Sequence, residues 1–366
     1  MKHICKEQPN LKHYNLTDEL FNEDCIFFDI ETTGFSPASS NIYLIGCLRK
    51  TGETLIIEQF FAENKDDEYE VLHQFFTLLY QYKTIISFNG SGFDIPFIKA
   101  KCYTHNIVEN LDNFSHIDIF KLLNHMKFLL KLPNYKQKTI EAFLDIERED
   151  LYSGGELLSV YNEYLHTKSS HTEELLLLHN YEDVIGMLDL IPILSYNKIL
   201  NGAYEIKDTE TTTYTNYEGN TGFELIITLA NKYMVPKRVS HQYNDLYITM
   251  NKDITKIRIP IFKGELKFFY TNYKDYYYLP EEDMSIHKSV ASYVDKEYRE
   301  KAKACNCYTR KTGTFLPQYD AIINPAFKKD YKEKCSFFEL TEDFKSSDVM
   351  LRNYVEHILS HCSNNK

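Results

Sequence analysis

The stretch Cys25-Ile26-Phe27-Phe28-Asp29-Ile30-Glu31-Thr32-Thr33-Gly34 decides how the rest of the chain reads. Its first six residues form an apolar run of strand type. Asp29 and Glu31 stand at i and i+2 near its end, and the period-2 geometry of a strand puts both carboxylates on one face. Two acids beside so much apolar surface are costly unless a cation or an Arg/Lys offsets them. The run is either a solvated edge strand or a buried central strand that ends in a charged site. Phe27, Phe28 and Ile30 favour the central strand.

Around this run the pattern is α/β. Residues 43–48 and 54–60 continue it as strands about a turn at Lys50-Thr51-Gly52. Residues 69–82 carry Val71, Leu72, Phe75, Phe76 and Leu79 at helical spacing, and 84–88 read as a short strand. A helix is expected over 94–104 with Pro96 in its first turn. Residues 117–123 begin a strand or a helix, 139–144 a short helix, and 154–165 and 173–191 longer ones. Strands first, then helices, predict an α/β domain over residues 20–200. Residues 208–222 are polar and rich in Thr, Asn and Gly, so 201–222 is read as a linker or an exposed hairpin. Residues 223–366 are expected to form a smaller α+β domain, with strands at 223–229, 245–250, 257–261 and 265–270 and helices at 285–304 and 348–360.

The chain's 366 residues suit two or three domains at about 100–200 residues each. An apolar content of 43% excludes a disordered tail or a collagen-like rod. No signal peptide is readable ahead of residue 15, and no apolar run approaches the ~20 residues needed to span a bilayer. Eight scattered cysteines without a CxxC pair suggest reduced thiols. A soluble, cytoplasmic protein with no membrane partner is therefore expected. The net charge of −12 is unevenly spread: residues 1–199 hold 17 Lys and Arg against 30 Asp and Glu, whereas the remainder is nearly neutral. A general polyanion coat is excluded, and any face for a nucleic acid must be local.

Three further segments carry chemistry. Phe88-Asn89-Gly90-Ser91-Gly92-Phe93-Asp94-Ile95-Pro96 follows a strand and opens a helix, where Asp94 is either an N-cap or a functional carboxylate. His179 and Asp183 lie one turn apart on a helix and share a face. His116-Ile117-Asp118 is weak alone. Strand-borne DxE, then NGxxFDxP, then HxxxD on a late helix resembles the DEDD (DnaQ-like) exonuclease superfamily, and within it the YprB-type ribonuclease H-like domain. Lys138-Thr139-Ile140-Glu141, Arg148-Glu149-Asp150 and Ser153-Gly154-Gly155 belong to the same resemblance, which covers residues 20–195.

That resemblance implies a ribonuclease H-like mixed sheet flanked by helices and a metal-dependent 3′–5′ exonuclease acting on DNA or RNA. It implies Asp29, Glu31, Asp94 and Asp183 as ligands of two divalent cations, Mg²⁺ or Mn²⁺, and His179 as general base. Asn89 and Phe93 would flank a terminal nucleotide, with Phe93 alternatively a core aromatic, and the backbone N–H groups of Thr32 and Thr33 would hold its phosphate or hydroxyl. The alternative is a catalytically silent nucleic-acid- or protein-binding module on the same fold. Candidates for guiding a single-stranded end are Lys99, Lys101, Lys127, Lys131, Lys136 and Lys138 in the first half. Basic pairs at 237–238, 310–311 and 328–329, near tyrosines, are the candidates in the second.

Overall fold

The computed structural model describes residues 1–10, 15–150, 152, 154–215 and 219–364. Ser153, part of the motif quoted above, and the tip of the polar segment at 216–218 lie outside the described residues. The chain divides into two compact units, one of Met1–Ile199 with Tyr233–Lys237 and one of Leu200–Lys232 with Arg238–Lys366.

The first unit runs β1 (Lys2–Pro9), α1 (Asn15–Leu20), β2 (Cys25–Thr32), β3 (Ile42–Thr51), β4 (Thr54–Phe61), α2 (Glu68–Leu79), β5 (Thr84–Ser87), α3 (Asp94–His105) and β6 (Ser115–Asp118). Helices α4 (Ile119–Asn124), α5 (Lys127–Leu130), α6 (Gln137–Phe143), α7 (Gly154–Thr167), α8 (Ser170–Leu190) and α9 (Leu194–Leu200) follow. The six strands lie in the order β1-β4-β3-β2-β5-β6. From β1 to β2 the pairings are antiparallel, while β2–β5 and β5–β6 are parallel. This is the mixed sheet flanked by helices of a ribonuclease H-like fold.

Strand β2 is central, as its buried Ile26, Phe27 and Phe28 require, and not a solvated edge. A register shift between Glu31 and Thr32 against β3 marks the end of its regular ladder, a place where bulges re-aim side chains. Phe28 meets Phe75 of α2 in the apolar core, 5.4 Å between ring centroids.

Two glycines let the late helices come close enough to deliver their side chains. Gly46 of β3 pairs with Asp29 in register. A Cβ there would stand 2.0 Å from Asn180 Oδ1 and 2.8 Å from Val184 Cγ2, both on α8. On the same helix, a Cβ at Gly186 would stand 2.2 Å from Glu141 Oε1 of α6.

The second unit contains β7 (Tyr204–Thr215), β8 (Thr221–Tyr243), β9 (Leu246–Phe269), β10 (Tyr276–Leu279), β11 (Met284–His287), α10 (Lys288–Ala291), β12 (Glu300–Lys301), β13 (Tyr308–Gln318), β14 (Ser336–Glu339), α11 (Glu342–Ser346) and α12 (Asp348–Asn364). It holds a five-stranded sheet, β14-β13-β9-β8-β7, and a three-stranded one, β11-β10-β12. The helix expected over 285–304 is absent: only Lys288–Ala291 is α-helical there, between β11 and β12. The three strands expected within 245–270 are one strand of 24 residues.

The Gly46 contact yields a first prediction. Gly46→Ala drives a methyl into buried Asn180 and Val184, and overpacking of this kind costs about 1–3 kcal/mol. A thermal melt should show the loss at roughly 2–4 °C per kcal/mol. An unchanged Tm would mean that α8 does not depend on this approach.

Candidate active site

Three elements converge at the end of β2. The strand itself brings Asp29 and Glu31. Asp94, at the N-terminus of α3, accepts the backbone N–H of Ile30 through Oδ1 at 3.2 Å, which ties its carboxylate to the strand. Helix α8 brings His179 and Asp183 one turn apart, with His179 Nε2 3.2 Å from Asp183 Oδ2 and 3.5 Å from Glu31 Oε1. One ligand atom each from Glu31, His179 and Asp183 lies within 4.8 Å of the others, a spacing that suits a bound cation. Asp29 stands beside this trio, taking a hydrogen bond from Asn180 Nδ2 at 3.2 Å. Asn180 is oriented in turn by Gln59, whose Nε2 donates to Asn180 Oδ1 at 3.0 Å.

The electrostatics record the cost of this arrangement. Burial, then the charges of Asp94, Asp183 and Glu31, push the Asp29 carboxyl well above its ordinary range. Burial, then Asp183, Asp94 and Asp150, do the same to Glu31. Burial raises Asp94 to about 7, even though two backbone N–H groups oppose it. Protein-supplied positive charge comes from Arg148, only 10% exposed, whose Nη1 lies 2.7 Å from Asp183 Oδ1 and 3.1 Å from Glu141 Oε2. Carboxylates gathered in this way, with one guanidinium against them, leave room for a divalent cation to offset their charge.

His179 has a second partner. Its Nδ1 lies 2.6 Å from Asp150 Oδ2, and Asp150 is buried. Burial works against the Asp150 charge, but Lys138, His179 and the Tyr152 N–H together hold its carboxyl below the ordinary range. An ionised carboxylate only accepts, so Nδ1 carries a proton, and Nε2 faces Glu31 and Asp183.

The remaining sequence-predicted residues fall as follows. The N–H of Thr33 is donated to the carbonyl of Asn41 at 2.8 Å, so it is not open to a substrate phosphate as expected. The Thr32 hydroxyl donates to the Gly34 carbonyl at 2.8 Å. Asn89 adopts a left-handed backbone conformation with φ 65°. Asp118 pins its loop by accepting the N–H groups of Asn89 at 3.0 Å and Ser91 at 3.1 Å. Phe93 is half-buried against Phe97, 5.5 Å between centroids, and meets the exposed Phe35 at 6.5 Å. Tyr181 turns away to Gln8, with Oη 2.8 Å from Oε1. Sequence reasoning missed the individual roles of Arg148, Asp150, Asn180 and Phe35. The resemblance had placed Arg148 and Asp150 in a motif without assigning them partners.

Residues 26–195 match the family model of the RNase H superfamily. Among solved structures, a family B DNA polymerase from the archaeon Pyrobaculum calidifontis is similar at 17% identity and a TM-score of 0.38, covering 46% of this chain and 25% of its own. E. coli exonuclease I in complex with a dT13 oligonucleotide is similar at 12% identity and a TM-score of 0.34, covering 57% of this chain and 55% of its own. The chain thus spans a quarter to about half of the lengths of these proteins. No curated protein matches it.

Raised carboxyl pKa values make a stability prediction with a definite sign. Between its ordinary value and about 7 the folded Asp94 keeps a proton that the unfolded chain has released. Stability of the metal-free protein therefore falls as pH rises through that window and levels off above it. Melts in EDTA should show a higher Tm near pH 5.5 than near pH 8 from this contribution. Mn²⁺ should raise Tm more at the higher pH, and Asp29→Asn should raise the metal-free Tm while blunting the response to metal. The reading fails if Mn²⁺ stabilises the protein equally at both pH values.

Proposed function

We propose that the ribonuclease H-like domain of residues 26–195 is a metal-dependent nuclease that shortens DNA or RNA from the 3′ end. The observation that carries this reading is the convergence of Glu31, His179 and Asp183 at the end of β2, with Asp29 and Asp94 beside them. Asp29, Glu31, Asp94 and Asp183 would hold two divalent cations, Mg²⁺ or Mn²⁺. Bound there, such ions activate water and offset charge on the leaving oxygen of a phosphodiester. His179, with its proton fixed on Nδ1 by Asp150, offers Nε2 to take a proton from the attacking water. Arg148 keeps Asp183 oriented and limits repulsion among the acids. Asn89 and Phe93, with exposed Phe35 beside Phe93, are the groups assigned to the terminal nucleotide, and Thr32 to its phosphate or hydroxyl. The eight free cysteines are in keeping with a cytoplasmic setting.

A second reading has its own observation. Arg148 Nη1 at 2.7 Å from Asp183 already supplies a cation to one ligand oxygen, as a silent module that had replaced metal by guanidinium would. End-labelled single- and double-stranded DNA and RNA, incubated with Mn²⁺ or Mg²⁺, separate the two. The nuclease shortens a strand stepwise from its 3′ end and loses this in EDTA and in Asp183→Asn. His179→Ala lowers the rate by about 10²–10⁴-fold, the usual worth of a general base. Absence of cleavage on every polymer, together with no effect of metal on Tm, would establish the silent module.

A further inference from the structure

The acidity of residues 1–199 has one gap. Residues 119–140 hold five lysines, Lys121, Lys127, Lys131, Lys136 and Lys138, and no Asp or Glu. The structure sorts these and the other candidate cations by what they already touch. Lys99 is 2.6 Å from Asp112, Lys101 is 3.4 Å from Glu68, and Lys138 is 2.9 Å from Asp150. In the second unit Arg310 pairs with Asp283 and Glu265, and Lys311 with Glu339. Lys127, Lys131 and Lys136 are exposed and have no carboxylate partner among the described residues.

Two of these three line an open groove of about 660 Å³, within the size range of small-ligand sites. Its aromatic surface comes from Phe88, Phe120 and Tyr135, all partly exposed. Phe88 and Phe120 are 5.8 Å apart between centroids, and Lys127 Nζ stands 5.1 Å from the Tyr135 ring and 6.0 Å from that of Phe120. The Tyr135 hydroxyl donates to the Lys127 carbonyl at 3.2 Å, which ties the two walls together. The lining also includes Asn89 and Gln137. Asn89 opens the loop that ends in Asp94. Gln137 Nε2 donates to the Asp183 carbonyl at 2.8 Å and to Glu141 Oε1 at 2.9 Å. The groove thus shares Gln137 with a hydrogen bond to the backbone of α8 at Asp183, and Asn89 with the loop that leads to Asp94.

We infer that this groove is a subsite for unpaired nucleotides, holding a single strand of DNA or RNA by stacking bases on Phe120 and Tyr135 while Lys127 and Lys136 take its phosphates. The inference rests on the nuclease reading for the polarity of the strand, but its chemistry stands on the groove. Unpaired bases present the flat faces that aromatic rings bind, whereas a duplex hides them in its own stack. Ammonium groups free of carboxylates supply a polyanion's counter-charge beside a site that is itself acidic.

The test measures binding of the full chain to labelled oligothymidylate and oligouridylate of about 12 nucleotides, a blunt duplex of the same length, and a dinucleotide. Fluorescence anisotropy is read over a salt series in Ca²⁺. The two single strands should bind more tightly than the duplex and the dinucleotide, and any difference between them names the sugar. Lys127→Gln with Lys136→Gln should reduce the slope of log K against log salt by about 1.4, at ~0.7 per phosphate contact. Phe120→Ala and Tyr135→Ala should each weaken binding about 5- to 100-fold without changing the slope. Tyr135→Phe, which keeps the ring, should bind well above Tyr135→Ala, and circular dichroism of each variant should match the wild type. The subsite is overturned if duplex or dinucleotide binds as tightly as the longer strand, or if the lysine pair leaves the slope unchanged. Groove-dependent binding without metal-dependent cleavage would sink the nuclease reading and keep the subsite. Metal-dependent cleavage indifferent to all these variants would do the reverse.

Discussion

Repulsion among buried carboxylates is the constraint around which the first unit is organised. Asp29, Glu31 and Asp94 sit at the end of an apolar strand, and each is held above its ordinary pKa range mainly by burial. What the protein supplies against them is limited: the Ile30 and Asp94 N–H groups, the Asn180 amide and the Arg148 guanidinium. Such a site lowers the stability of the empty fold, a sacrifice that proteins make where function requires it. The packing that tolerates it is close. Gly46 admits Asn180 to Asp29, and Gly186 admits Glu141 to the flank of α8, so the helix bearing His179 and Asp183 comes in flush against both sheet and neighbour. Beyond the ligands, Asp150 fixes the imidazole and Lys138 supports Asp150, so the polar groups behind His179 are joined as one chain of contacts.

Charge is also divided in space within the unit. The acids gather at the end of β2, while Lys127 and Lys136, without a carboxylate partner among the described residues, line a groove with Phe88, Phe120 and Tyr135. A polyanion has no reason to approach a bare carboxylate cluster. The lysines that appeared equivalent in the sequence differ in this respect, because Lys99, Lys101 and Lys138 are already held by Asp112, Glu68 and Asp150.

The central strand was legible from its apolar run, whereas Asp29, Glu31, Asp94, His179 and Asp183 stood out as a set only through the resemblance, since each alone has an ordinary reading. Asp150 was legible only as part of a motif: its contact with His179 joins residues 29 apart in sequence and exists only once α8 lies on the sheet. Thr33 was misassigned because the loop after β2 folds back and Asn41 takes its N–H. Strand β1 escaped notice since Lys2–Pro9 shows no apolar alternation, being a largely exposed edge paired only with β4. In the second unit, turn-like residues misled the reading. Gly264 (φ 155°), with Lys263 read as a turn, lies inside the single strand β9 that was expected as separate strands on either side of it. Around 285–304, apolar residues at near-helical spacing belong instead to β11, a single helical turn and β12, where pairing with the tyrosine-rich β10 overrides local preference.

The acids at the end of β2, with His179, are proposed here as a site for divalent cations. Titrating the full-length, metal-free chain with Mn²⁺ and following the EPR signal of the free ion tests it most directly. The account predicts that the signal stays suppressed until about two ions per chain have been added, as a two-metal site requires, and that Asp183→Asn releases it early. A free-ion signal that rises in proportion from the first addition, with the wild-type chain folded, would contradict it.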